Sequence, residues 1–139
     1  MPGFKTNIEK DTVDNKNYRK VLFTSKYSQL VLMSLKPGEE IGEEIHKDSD
    51  QFFRFEKGEG NFLLDKETFK VTDGSAVIVP IGINHNVINT SKTENLQLYA
   101  IYSPPQHKDK IIHKNKEDDK EHIEEQNLRK IIKKELRKI

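Results

Sequence analysis

The chain has no cysteine. Disulfides, thiolate metal sites and cysteine nucleophiles are therefore excluded, and the absence suits a reducing compartment. Net charge is nearly absent as well: Lys+Arg 24 against Asp+Glu 23 gives +1. Such balance gives no electrostatic reason to bind nucleic acid or an anionic membrane. Long apolar runs are missing. A stretch such as Ala76 to Pro80 falls far short of the ~20 residues that span a bilayer. The opening residues, MPGFKTNIEKDTVDNKNYRK, contain no apolar segment and do not read as a secretory signal. No Ser-His-acid arrangement with a nucleophile elbow is present, which disfavours a serine hydrolase. The expectation is a soluble, cytoplasmic protein with neither nucleic acid nor membrane as partner.

Apolar residues are also scarce, 33% against 34% charged in a chain of 139 residues. One modest core is affordable only if they are concentrated, and most fall between Val21 and Tyr102. Residues 1–17 lack periodicity and read as an arm or an edge strand. Residues 18–105 carry short β-rich segments with Gly, Pro and Asx punctuation: Tyr18 to Thr24, Gln29 to Lys36, Ile41 to His46, Gln51 to Glu56, Asn61 to Leu64, Thr68 to Val71, Ala76 to Val79, His85 to Asn89 and Leu96 to Tyr102. Such spacing predicts a closed all-β architecture of about ten strands. Residues 106–115 read as a polar connector.

Residues 116–139 change period. Leu128, Ile131, Ile132, Leu136 and Ile139 recur at helical spacing. Acidic residues gather early and basic ones late, which complements a helix dipole, and Asn115 reads as the N-cap. The stripe is narrow, so this helix is expected to cover a surface outside the barrel and to contribute nothing to a pocket. His107, His113 and His122 read as residues of this polar tail rather than as a metal site.

The chemistry concentrates in two stretches. The first, PGEEIGEEIHKDSDQFFRFEKGEG from Pro37 to Gly60, carries Glu44, His46 and Gln51; the second, GSAVIVPIGINHNVIN, carries His85. On a strand, residues two apart point to one side, so Glu44 and His46 can aim together. Gln51 returns beside them across the Lys47 to Asp50 turn. Glu44, His46 and His85 form the two-histidine, one-carboxylate set of open non-haem iron sites. Spacing alone also allows a duller reading, in which Glu44 is one surface carboxylate of GEEIGEE and His46 begins a turn.

The whole pattern resembles the cupin superfamily. Its first motif is met by Gly38, Glu44, His46, Gln51 and Gly58, and its second by Gly74, Pro80, Gly82, His85 and Asn89. The resemblance covers roughly Gln29 to Pro104. It implies a cupin-type jelly-roll β-barrel with a charged amphipathic helix appended at the C-terminus. It implies metal ligands at Glu44, His46, Gln51 and His85. The family pattern is three histidines and one glutamate. Here Glu44 stands for the first histidine and Gln51 for the glutamate, so the set keeps one negative charge. Gln51 is expected as a fourth ligand or as a partner of a metal-bound group. The metal is expected to be one divalent transition ion, iron, manganese, nickel, cobalt or zinc.

Parity places Phe53 and Phe55 with Gln51 on the inside, and Phe52 and Arg54 outside. An exposed Phe52 among aliphatic neighbours suggests a partner surface, and small cupins pair through such faces, so a homodimer is expected. Tyr99 or Tyr102 reads as core or rim, or as a phenol offered to a small-molecule ligand or substrate. The function read from the resemblance is a metal-dependent enzyme of the isomerase, oxygenase or decarboxylase class acting on a small polar molecule. The alternative is a non-catalytic ligand-binding or sensor module using the C-terminal helix for partner contacts. No residue is assigned a catalytic role.

Overall fold

The computed structural model describes residues 2–138, apart from the side chains of 121–123. Ile139 and the His122 side chain, both singled out above, lie outside the described residues. Among those described, the strands are β1 (Arg19–Thr24), β2 (Gln29–Leu35), β3 (Asp50–Lys57), β4 (Gly60–Leu64), β5 (Glu67–Val71), β6 (Ala76–Val79), β7 (His85–Asn89), β8 (Leu96–Ser103) and β9 (Ile112–His113). They form a six-stranded sheet ordered β6-β3-β8-β2-β1-β9 and a three-stranded sheet ordered β5-β4-β7. All recorded pairings are antiparallel.

The core lies between the two sheets. Period-two alternation puts Gln51, Phe53 and Phe55 of β3 inside, each no more than 1% exposed. They meet Phe62 of the smaller sheet edge-on, with ring centroids 5.1 Å from Phe53 and 6.2 Å from Phe55. Val31, Met33, Leu98 and Ala100 complete the larger sheet's inner face, and Val71 and Val87 the smaller one's. This is the expected jelly roll. Among the described residues no helix is long and apolar enough to cross a membrane.

Four local expectations need correction. Eight strands, not about ten, lie in the barrel span. Ile41 to His46 is not a regular strand, because Gly42 sits at φ 102 and interrupts the extended run. The segment still tracks β7 through isolated bridges, Glu40 with Ile88 and Glu44 with His85. Its backbone exchanges hydrogen bonds at Glu44 N–H to His85 O, 2.8 Å, and His85 N–H to Glu44 O, 2.9 Å. Asn86 Oδ1 accepts the displaced Gly42 N–H at 2.8 Å.

The N-terminal arm contains a helix, α1 (Ile8–Asp14), capped by Asn7, whose side chain accepts from Lys10 N–H. Its tertiary anchor is Gln97 of β8, which donates to Val13 O at 2.7 Å and Asn15 O at 2.8 Å. Periodicity could not show it, because the element is held by side-chain bonds rather than by an apolar stripe. The connector, in turn, supplies β9, which pairs with β1.

At the other end a 3-10 turn at Lys116–Asp118 precedes α2 (Lys120–Arg137). Asn115 caps the turn, its N–H donating to Asp118 Oδ2 at 3.0 Å, and Asp119 occupies the cap position of α2.

Candidate metal centre

Glu44 and His85 face each other across the bridge between the Gly42 segment and β7. His46, two residues on, comes to the same side, its Nε2 in contact with the Glu44 carboxylate. The outcome is a cluster in which Glu44, His46 and His85 each offer one ligand atom, all within 4.8 Å of one another. Glu44 Oε2 lies 2.9 Å from His46 Nε2 and 3.6 Å from His85 Nε2.

The histidine tautomers suit a cation. His85 Nδ1 is 3.1 Å from Ile83 O, so the Nδ1 proton donates to that carbonyl and Nε2 carries the lone pair. That Nε2 is buried and finds no hydrogen-bond partner among the described residues, an arrangement that costs free energy unless something else answers it. His46 Nδ1 faces Gln106 Oε1 at 3.4 Å. Both histidines thus carry the backing that orients metal-ligating imidazoles. Aromatic rings enclose the pair: Phe62 stacks on His85 at 6.2 Å and 13°, Phe53 lies 5.9 Å from it, and Tyr102 meets His46 at 5.8 Å. One carboxylate oxygen and two imidazole nitrogens without sulfur fit a divalent transition metal.

Gln51 is buried at 1% exposure on β3, opposite Tyr102 of β8 and Val79 of β6. Neither its amide nitrogen nor its oxygen has a hydrogen-bond partner among the described residues. Tyr99 is not in the cavity; it lies beside Phe52 on the outer sheet face, ring centroids 6.3 Å apart.

Burial works against a charged His46, but the hydrogen bond and charge of Glu44, with help from Gln106, prevail and raise its pKa above the ordinary value. Without metal, the protonated His46–Glu44 pair contributes stability below the unfolded-state pKa, and that contribution is lost as pH rises through the raised folded pKa. A metal must displace this proton. Metal affinity is therefore expected to fall by about tenfold per pH unit below the raised pKa, starting at a higher pH than for a solvent-exposed histidine. Metal-competition titrations at stepped pH check this; an affinity unchanged down to the carboxylate range contradicts it.

An open cleft of about 570 Å³ adjoins the cluster, lined by Glu44, His46, Gln106 and His107 and also by Asp119, Glu125, Leu128, Arg129 and Ile132. The C-terminal segment therefore does contribute to the pocket, contrary to the reading of its sequence. Side chains bind it there: Arg19 pairs with Asp119, Gln126 Nε2 donates to Ile41 O at 3.0 Å, and Lys133 Nζ lies 2.8 Å from Glu43. The end of the Gln126 side chain lies over Gly42, a position whose φ of 102 favours glycine.

His107 was also misplaced by its sequence context. It packs edge-on to Tyr102 at 5.1 Å, and burial together with the nearby Arg19 charge pushes its pKa down to about 3. The Tyr102 hydroxyl is raised well above its ordinary value, chiefly by burial. Of the residues that sequence reading missed, Arg19 alone left a signal, a charge at an inward position alternating with Val21.

A cupin-domain family model matches residues 31–102. A protein of Acanthamoeba polyphaga mimivirus is 47% identical over 107 residues, covering 75% of this chain and 67% of that protein. YrkC of Bacillus subtilis (strain 168) is 46% identical over 121 residues, covering 83% of this chain and 64% of YrkC. The chain thus spans about two thirds of the length of these relatives. A crystal structure of a Bacillus halodurans protein matches with a TM-score of 0.82 at 39% identity, over 84% of this chain and 92% of that one. The interval matched by the family model contains Glu44, His46, Gln51 and His85, and the chain belongs to the cupin family.

Proposed function

We propose that the chain is a metal-dependent cupin enzyme acting on a small polar molecule, in the isomerase, oxygenase or decarboxylase class. The observation that carries this is the convergence of Glu44, His46 and the unanswered Nε2 of His85 beside an open cleft. A bound divalent ion would supply Lewis-acid or redox chemistry with coordination positions left for substrate. Glu44 supplies the one negative charge of the set. Ile83 O and Gln106 hold the imidazoles in orientation. Gln51 serves as a fourth ligand or hydrogen-bonds a metal-bound group, which would answer its unpartnered amide. His107, neutral, gives the wall an uncharged polar group, and Tyr102, protonated, packs behind His46 and His107.

A second reading, a ligand-binding or sensor module, draws support from α2, where Leu128, Ile131, Ile132 and Leu136 are each about half exposed or more. The two are separated by loading the full chain with iron, manganese, nickel, cobalt or zinc and following small polar metabolites for isomerisation, oxygen uptake or CO2 release. Turnover with one of the metals is the result expected of an enzyme. Ligand binding with no turnover under any metal is the result expected of a sensor.

We further propose a homodimer formed through the outer face of the larger sheet. Leu30, Ile101, Phe52 and Ile78 fall in one cross-strand row, with Ile78 65% exposed, and such a row favours association. Phe52→Glu is expected to convert a dimer to a monomer in analytical ultracentrifugation. A variant that sediments as the wild type does contradicts this.

A further inference from the structure

Arg19 carries charge where charge is costly. It lies on β1 at 1% exposure, opposite Met33. A guanidinium cannot shed its proton to escape burial, so it needs an acceptor. The acceptor comes from 100 residues away, Asp119 Oδ2, which receives from Nη1. The Tyr18 ring supports the guanidinium with its centroid 5.3 Å from Cζ. Nε of the same group is buried with no hydrogen-bond partner among the described residues, so the bond from Nη1 to Asp119 leaves part of the donor fork unanswered. Asp119 itself lines the cleft beside Glu44, His46 and His107.

We propose that Arg19 is the specificity-determining residue for a substrate bearing a carboxylate, and that Asp119 holds the place of that carboxylate until the substrate arrives. This rests on the reading of the cleft as the substrate site of the metal centre. Three features favour a carboxylate. Asp119 already demonstrates that one fits against the guanidinium from the cleft side. A planar two-oxygen acceptor can engage the fork at two points, including the donor that Asp119 leaves unused. Exchange of one carboxylate for another leaves the local charge unchanged, whereas a dianionic phosphate would add negative charge near Glu44. Displacement of Asp119 would free the start of α2 while Gln126 and Lys133 still hold the helix.

The test titrates lactate, a small monocarboxylate, into the full chain by NMR, with inorganic phosphate in parallel and with metal-free and metal-loaded protein. Asp119→Asn removes the internal competitor and is expected to tighten lactate binding by about tenfold or more. Arg19→Gln is expected to abolish it. Because that variant removes the guanidinium partner of a buried carboxylate, the double variant Arg19→Gln/Asp119→Asn keeps the pair neutral and is expected to bind no lactate either. Equal lactate binding by the wild type and the double variant overturns the proposal. So does an Asp119→Asn chain that binds no more tightly, or a preference for phosphate. Metal content measured on the same samples keeps the two claims apart. Normal metal with Arg19-independent lactate binding defeats this inference alone, and Arg19-dependent binding in a wild-type chain that takes no metal defeats the metal reading alone.

Discussion

Replacing His85 by alanine is expected to reduce metal affinity by more than the ~10–100-fold that follows loss of a residue merely orienting a ligand. His85 is the member of the triad that the fold controls most tightly. Its backbone bridges Glu44, its Nδ1 is held by Ile83 O, and its side chain is 2% exposed. With His85 gone, Glu44 and His46 retain their 2.9 Å contact, so the pair prefers a proton to a cation. Metal content after dialysis, set against secondary structure from circular dichroism, is the measurement. Retained stoichiometric metal in a folded His85→Ala chain would show that the donors lie elsewhere.

Phe62→Ala carries the largest expected stability effect. Phe62 is fully buried and joins the two halves of the interior: Phe53 and Phe55 from the larger sheet on one side, the His85 ring on the other. Truncation removes buried area and leaves a cavity, at a cost of about 3–5 kcal/mol. It also removes the stacked wall of His85, so metal affinity should fall together with stability. A substitution at Val71, buried on β5 opposite Gly60, should lower stability and spare the metal. Chemical denaturation of both variants, each with a metal titration under native conditions, checks the split. If Phe62→Ala weakens metal no more than the Val71 variant does, the ring has no part in placing His85.

The candidate site was legible to the extent that strand parity carries chemical information. Glu44 and His46 two residues apart, and His85 opening a strand, are local patterns, and the barrel converts them into convergence. Phe53 and Phe55 were legible for the same reason. What escaped notice depends on contacts between distant residues that leave no local period. Asp119 sits in an acidic run that reads as a solvated helix start, yet it pairs with Arg19 inside the fold. Gln106 and His107 look like polar linker, but Gln29 Oε1 accepts from their backbone N–H groups at 3.2 and 3.0 Å and draws them against the cleft. The apolar stripe of α2 was visible as a pattern. Its surface was not, because the contacts that hold α2 join residues far apart in sequence, Gln126 with Ile41 O and Lys133 with Glu43.

The central claim is that Glu44, His46 and His85 hold one cation. It is tested most directly by a crystal structure of the full chain purified without chelator, with data collected across metal absorption edges. The account predicts one anomalous peak per chain, placed between a Glu44 carboxylate oxygen, His46 Nε2 and His85 Nε2. A peak absent even after reconstitution with each candidate metal, with His46 still hydrogen-bonded to Glu44, would contradict it.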